Sequence, residues 1–419
     1  MHHPRVNVAL GFLLLGVTAT VYTQSPAVAP RDLIKDNSVA AALAMVKNTE
    51  AEAIADQIRF CEIPAPSFKE EVRGRELQRV FQQIGLQNVR VDKVGNVLGD
   101  YAGESPKPHL VVAAHLDTVF PEGTDVHVKR DGAILRGPGI GDDCRGLAVL
   151  VAIVKAMKAS KIQPKGTVTF VANVGEEGLG DLRGVKALFN ETLKDQIDKF
   201  VSIDGTGVHL TNVAVGSHRY KFTFKGPGGH SFGAFGRANP IGAMGRAIDK
   251  IQELQVPKFP KTTFNVGRVG GGTSVNSIPF DGWMEVDMRS SDSASLAAID
   301  ASIQKAVDAA VAEENRRWNT PNMITVVKEL VGDRPAGSTK EDAPIVKTGL
   351  DTAAALGLRA DLAEGSTDSN TPMSMHIPAI TIGGGGMGRD AHALTESFDT
   401  TDAWKGAQYA LLLTIALAQ

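Results

Sequence analysis

Only two cysteines, Cys61 and Cys144, occur in the 419 residues. A chain this long can bury a core large enough to stand without disulfide staples, so two buried free thiols are expected. Aromatic residues make up 5% of the chain, and no run of Lys or Arg is present. Nucleic-acid bases would find no stacking surface, and a net charge of −3 offers phosphates no attraction. Nucleic acid is therefore excluded as a partner. Past the N-terminal segment no apolar run is long enough to span a bilayer. No internal repeat or low-complexity segment occurs.

The N-terminal segment stands apart. Arg5 precedes an uncharged, mostly apolar stretch from Val6 to about Val21, and Ala27-Val28-Ala29 follows. This is the layout of a secretory signal peptide, with an uncleaved membrane anchor as the alternative. The small-residue site favours the signal, so residues 1–29 fall outside the fold and the protein is expected to be exported, periplasmic or secreted.

The rest has ordinary globular composition, 43% hydrophobic and 22% charged, and its length points to two or three domains. Residues 38–63 carry a helical pattern. A Pro-marked loop follows, then an amphipathic helix ending at Gly85. An alternating stretch, 88–103, reads as a hairpin. Apolar strand runs then alternate with helices up to Asp204. This alternation predicts an α/β catalytic domain, its mostly parallel sheet covered by helices, with ligands at the carboxyl ends of the strands. Near Gly216 the pattern changes to half-exposed strands and two helices in β-α-β-β-α-β order. That order predicts a ferredoxin-like α+β lid domain, inserted at 215–330 between catalytic segments 30–214 and 331–419.

Acidic and His residues cluster where apolar strands end: His115 and Asp117, Asp142 and Asp143, Glu176 and Glu177, Asp204, and His392. Taken singly, each has a bland explanation. A strand-end His is usually satisfied by packing, an Asp before Gly usually forms a turn, and a Glu-Glu pair is usually solvated. Together they describe a catalytic cleft. Oxygen and imidazole donors without thiolates suit a catalytic divalent metal, with zinc the leading candidate.

The segments "HLDTV", "GDDCRG", "GEEGLG", "GGHS" and "AHALTE", with Asp204 between them, resemble the di-zinc exopeptidase and amidohydrolase family of peptidase T, carboxypeptidase G, aminoacylase and succinyl-diaminopimelate desuccinylase. The resemblance covers nearly everything after residue 40. It implies two Zn2+ per chain, with Co2+ or Mn2+ as possible substitutes. His115 and Asp204 would hold one ion, Glu177 and His392 the other. The family's Asp-x-Lys-Gly pattern selects Asp143 over Asp142 as the bridging ligand, with a cis peptide expected at Asp143–Cys144. Arg145 replaces the usual Lys at what resembles a structural position. Asp117 would accept a hydrogen bond from His115. Glu176 would stand off the metal and act as general base, then general acid.

In the lid, His230 would reach a dimer partner's active site and bind the oxyanion; the bland reading is that it caps the following turn. Asn276 and Arg289 would hold a substrate carboxylate, although Arg289 could equally make a surface ion pair. The 365–372 stretch resembles a substrate-pocket loop. The resemblance thus implies a homodimeric peptidase T-like exopeptidase acting on small peptides. An N-acyl-amino-acid deacylase or a carboxypeptidase is the alternative, and a non-catalytic zinc or peptide-binding protein a remote one.

Overall fold

Uninterrupted apolar runs need cover on both faces, and here they become the inner strands of one sheet. The computed structural model describes residues 28–321 and 323–419. Residues 1–27 of the segment read as an export signal lie outside the described residues. Among the described residues no helix is long and apolar enough to cross a membrane. In chain order the first strands are β1 (Gln87–Val91), β2 (Val97–Tyr101), β3 (Leu110–His115), β4 (Val168–Asn173), β5 (Lys199–Ile203) and β6 (His209–Ala214). The chain then leaves to build β7 (Gly216–Lys225), β8 (Thr262–Gly271), β9 (Asp281–Ser290) and β10 (Thr325–Arg334). It returns with β11 (Asp361–Gly365) and β12 (Ala379–Ile382).

The spatial order of the large sheet is β1-β2-β4-β3-β5-β12-β6, with Gly337–Ser338 at the far edge and β11 also paired to β6. Its centre is parallel: β3 pairs with β4 and β5, and β5 pairs with β12. Antiparallel pairs flank it, at β1/β2, β2/β4 and β12/β6. Every residue of β3 and β4 is buried. Helices Cys144–Ala159 and Trp404–Leu417 contribute most of their length to the same core as Leu110, Val112, Phe170 and Val201.

The second sheet has its own core, built on Phe222, Phe224, Met284, Val286 and Met288. Its order, β8-β9-β7-β10, combined with helices Pro240–Gln252 and Ser293–Arg317, is the ferredoxin-like arrangement. β9 shows how the sequence builds it: alternate residues Gly282 to Ser290 are buried and those between are half-buried. That is the period of a strand with one face covered by helices.

Two expectations change. The helical pattern of 38–63 is two helices, Asn37–Asn48 and Glu50–Cys61, broken at Thr49. Thr49 turns its hydroxyl onto the Met45 carbonyl at 2.9 Å, which fits the poor helix-forming tendency of an Asn-Thr step. The fourth lid strand also runs past residue 330 to Arg334, because pairing with β7 resumes after an irregularity between Leu330 and Gly332.

Cys61 and Cys144 are both free and buried. Arg145 is also fully buried. Its guanidinium donates to the Gly384 carbonyl at 2.8 Å, the Ala403 carbonyl at 2.7 Å and Glu50 at 3.0 Å. It ties the helix that starts beside Asp143 to the C-terminal part of the chain. Removing one partner of a buried pair strands the other's charge. Arg145→Met is expected to destabilise the protein by about 3–5 kcal/mol, read from urea unfolding midpoints.

Candidate active site

The strands of the large sheet end on one rim, and the chemistry collects there. His115 is the last residue of β3 and is buried. Glu176 and Glu177 follow β4, Asp204 follows β5, and Asp142 and Asp143 precede the helix that starts at Cys144. His392 comes from the loop beyond β12.

These side chains meet in a chain of contacts. His115 Nε2 lies 3.0 Å from Asp142 Oδ1 and 3.9 Å from Asp204 Oδ1. His392 Nε2 lies 3.1 Å from Asp142 Oδ2 and 3.0 Å from Glu177 Oε1. Asp142 therefore stands between the two imidazoles, one oxygen toward each.

Asp143, selected from the family pattern, is not in that position. Its Oδ2 accepts from the His115 main-chain N–H at 3.1 Å and its Oδ1 from Gly146 N–H at 3.0 Å. It caps the following helix from a fully buried position, and burial pushes its carboxyl well above the usual range. Asp142, given no role by the family pattern, takes the place between the imidazoles that the pattern gave Asp143. The cis peptide is likewise at Asp142–Asp143 rather than Asp143–Cys144.

The adjacent glutamates divide as extended chain requires. Gly175 and Gly178 on either side have φ of +66° and +50°, values that favour glycine. Glu177 faces His392. Glu176 points away, and its Oε1 accepts from Arg334 Nη1 at 2.9 Å. Burial raises the Glu176 pKa well above the usual range, against the pull of the Arg334 guanidinium.

Asp117 organises this loop. Its Oδ1 accepts from Glu176 N–H at 2.9 Å and its Oδ2 from Glu177 N–H at 3.0 Å. The expected bond from His115 reaches its main-chain carbonyl instead, 3.1 Å from Nδ1, with the carboxylate at 3.6 Å. Ser67 supports both partners, donating to Asp117 Oδ2 at 2.7 Å and lying 3.2 Å from the Glu177 carbonyl. Glu396 holds the turn before Asp142, accepting from Gly139 and Gly141 N–H, each at 2.8 Å.

A cavity of about 550 Å³ opens over these groups. Asp142, Glu176, Glu177 and Asp204 line it together with Arg219, Arg289 and Arg334. Gly365, Ser366 and Thr367 form part of the wall, as the 365–372 stretch suggested. His209 lines it too. His230 and Asn276 are not among the lining residues. They sit together on an exposed ribbon of the lid, where Gly229–His230 pairs with Ser277–Ile278. His230 Nδ1 accepts from the N–H groups of Phe232 and Gly233, each at 3.2 Å. It does cap its turn, and Nε2 makes no hydrogen bond to the described residues. Arg289 lies in the cavity wall and donates Nε to Asp287.

Sequence reading missed Arg334, Ser67 and Glu396. Arg334 ends a lid strand in "VGDRPAG", 158 residues from Glu176 in the chain, and nothing local marks it as that residue's partner. Glu396 closes the quoted "AHALTE" run, and its place in that motif was the available signal.

The donor set suits a divalent cation. His115 Nε2, Asp142 and Glu177 offer ligand atoms within 4.8 Å of one another. Without a cation the charges conflict. Burial and the Asp142 carboxylate push Asp204 up to about 7, while Asp142 and Glu177 raise His392 to about 10. Like charges at such spacing are relieved by protonation of one of them or by a positive ion. Asp142→Asn is expected to abolish bound metal after zinc loading. Asp143→Asn is expected to retain metal and lose stability, because its oxygens serve main-chain N–H groups. Elemental analysis and thermal melts of both variants check this.

Comparison with known proteins shows the family to which this fold belongs. Residues 111–415 match the model of peptidase family M20/M25/M40. The chain is 23% identical over 350 residues to the uncharacterized protein YqjE of Bacillus subtilis, covering 80% of this chain and 90% of that one. Its fold resembles aminopeptidase PepT of Bacillus cereus, with TM-score 0.70, 19% identity, and coverage of 88% of this chain and 99% of the other. It also resembles YxeP of Bacillus subtilis, described as a dinuclear metal-binding peptidase of the M20 family. There the TM-score is 0.66 and the identity 17%, covering 88% of this chain and 98% of the other. The family match spans both segments of the large domain and the inserted one, so the chain belongs to peptidase family M20/M25/M40, a family of hydrolases.

Proposed function

We propose that the protein is an exported di-zinc exopeptidase, similar to peptidase T, that removes a terminal residue from small peptides. The observation that carries this reading is one cavity holding both a converging donor set and a separate buried carboxylate, Glu176. A binding protein would need the first without the second. His115 and Asp204 would hold one ion, Glu177 and His392 the other, and Asp142 both. A bound pair would supply Lewis acidity toward the scissile carbonyl and toward water.

The chain's own residues do the rest. Glu176 takes a proton from the attacking water and returns it to the leaving nitrogen. Burial raises its pKa, which strengthens its hold on a transferred proton. Arg334 fixes the orientation of Glu176, and Asp117 fixes the loop that carries it. The Arg289 fork holds a substrate carboxylate. Export rests on the N-terminal pattern of Arg5, an apolar stretch and Ala27-Val28-Ala29.

We further read the protein as a homodimer through the lid. His230 is outside its own chain's cavity, beside Phe232, 90% exposed, and Val275, fully exposed. Such apolar groups beside a free imidazole Nε2 suit insertion into a second copy, where Nε2–H would donate to the oxyanion. The alternative, a carboxypeptidase or N-acyl-amino-acid deacylase, is favoured by one feature: Arg289 shares the cavity with the proposed metal ligands. That would let it grip the carboxylate adjacent to the cut.

Zinc-loaded protein incubated with Leu-Gly-Gly is expected to release leucine, detected by mass spectrometry; release of C-terminal glycine would support the alternative. Chelation is expected to abolish turnover and zinc to restore it. Glu176→Gln is expected to keep its metal and lose at least ~100-fold in kcat, the low end for a general base. A lid variant that is monomeric by light scattering should lose activity with its metal content unchanged.

A further inference from the structure

Arg219, Asp287 and Arg289 share one face of the lid sheet. Asp287 sits directly opposite Arg219 across β9 and β7, and Arg289 lies two residues further along β9. Neighbouring Val286 and Met288 are buried among the helices, so the three polar side chains leave by the other face.

One carboxylate serves both guanidiniums. Arg219 Nε donates to Asp287 Oδ1 at 2.9 Å, and Arg289 Nε to Oδ2 at 2.8 Å. Each arginine is anchored through Nε, so its terminal nitrogens stay available. Arg219 donates Nη1 to the main-chain carbonyl of Gly178 at 2.9 Å, the residue after Glu177. Arg289 directs no other hydrogen bond to the described residues, and it lines the cavity. Without Asp287 the two cations would be close neighbours with nothing between them; Arg219 would keep its bond to Gly178, and Arg289 would be free to swing. With it, two positive charges and one negative leave a single positive charge, which matches one carboxylate.

We propose that Asp287 is a positioning residue: it aims the Arg289 fork at a substrate carboxylate and, through Arg219, ties that grip to the loop carrying Glu176 and Glu177. This rests on the reading that Arg289 holds such a carboxylate. A purely structural role would be small, since half-exposed ion pairs contribute little to stability. The distinguishing consequence is selective. Losing Asp287 should harm substrates with a free carboxylate and spare those without one.

The test compares Leu-Gly-Gly with its C-terminal amide, using full-length, zinc-loaded wild type and the variants Asp287→Asn, Arg289→Ala and Arg219→Gln. Wild type and Arg289→Ala set the scale of the carboxylate preference. Asp287→Asn is expected to raise KM for the free acid about tenfold or more, the loss expected for a charged hydrogen-bonding contact. Its constants for the amide should stay within about twofold of wild type. Arg219→Gln should lower kcat on both peptides and keep the preference. If Asp287→Asn retains the preference that Arg289→Ala loses, Asp287 has no aiming role while the carboxylate reading stands. An equal loss on both peptides would mark a merely structural role and overturn the inference. If Arg289→Ala itself keeps the preference, or wild type cleaves neither peptide, the functional reading falls and the inference falls with it.

Discussion

Carboxylates crowded around two imidazoles set the terms for the rest of this structure. Asp142 lies between His115 and His392, with Glu177 and Asp204 at the flanks. Burying that much like charge is unfavourable by itself. The fold makes it possible by bringing Glu177 and Asp204 from two strand ends and Asp142 from the start of a helix, and by fixing the supporting main chain. Asp117 holds two N–H groups of the Glu176–Glu177 loop. Glu396 holds the turn before Asp142, and Asp143 holds the end of β3 and the start of the next helix. Acids that face the cavity are thus carried by acids that face the backbone. The oxygens of the second group are occupied by N–H donors, while those of the first converge on one another.

The lid is part of this arrangement. Arg334, the last residue of its fourth strand, donates to Glu176. Arg219, on its first strand, reaches the carbonyl of Gly178. Lys186 of the large domain donates to the Asp333 carbonyl at 2.7 Å, and Asp333 N–H reaches Asp181 at 2.9 Å. Two adjacent lid strands therefore clasp the 176–186 segment. The proposed base is oriented by a residue of one domain while its backbone belongs to the other. Displacing the lid would disturb the base as well as the substrate grip, and this links binding to chemistry.

Much of the architecture was legible because it rests on local rules. Continuous apolar runs marked β3, β4 and β5, and alternation marked β7 and β9. The change between these patterns near Gly216 located the lid, and the order of its elements predicted its topology. Errors came where neighbours in the chain compete. A helical pattern continued through Thr49 on paper, but the chain breaks there. Asp142 and Asp143 have the same chemistry one residue apart, and a family pattern chose between them wrongly. Only the backbone's path into the helix at Cys144 determines which carboxylate turns outward.

The sequence alone determined the donor types, their order at successive strand ends, and the two-domain plan. Those depend on composition and periodicity, which a chain carries in one dimension. The tertiary structure decided which aspartate stands between the imidazoles, that Arg334 rather than a nearby residue meets Glu176, and that His230 and Asn276 sit away from their own cavity. Each is a matter of direction and distance between residues far apart in the chain. Electrostatic pairing falls off over a few ångströms and depends on burial, and neither distance nor burial is written in residue order.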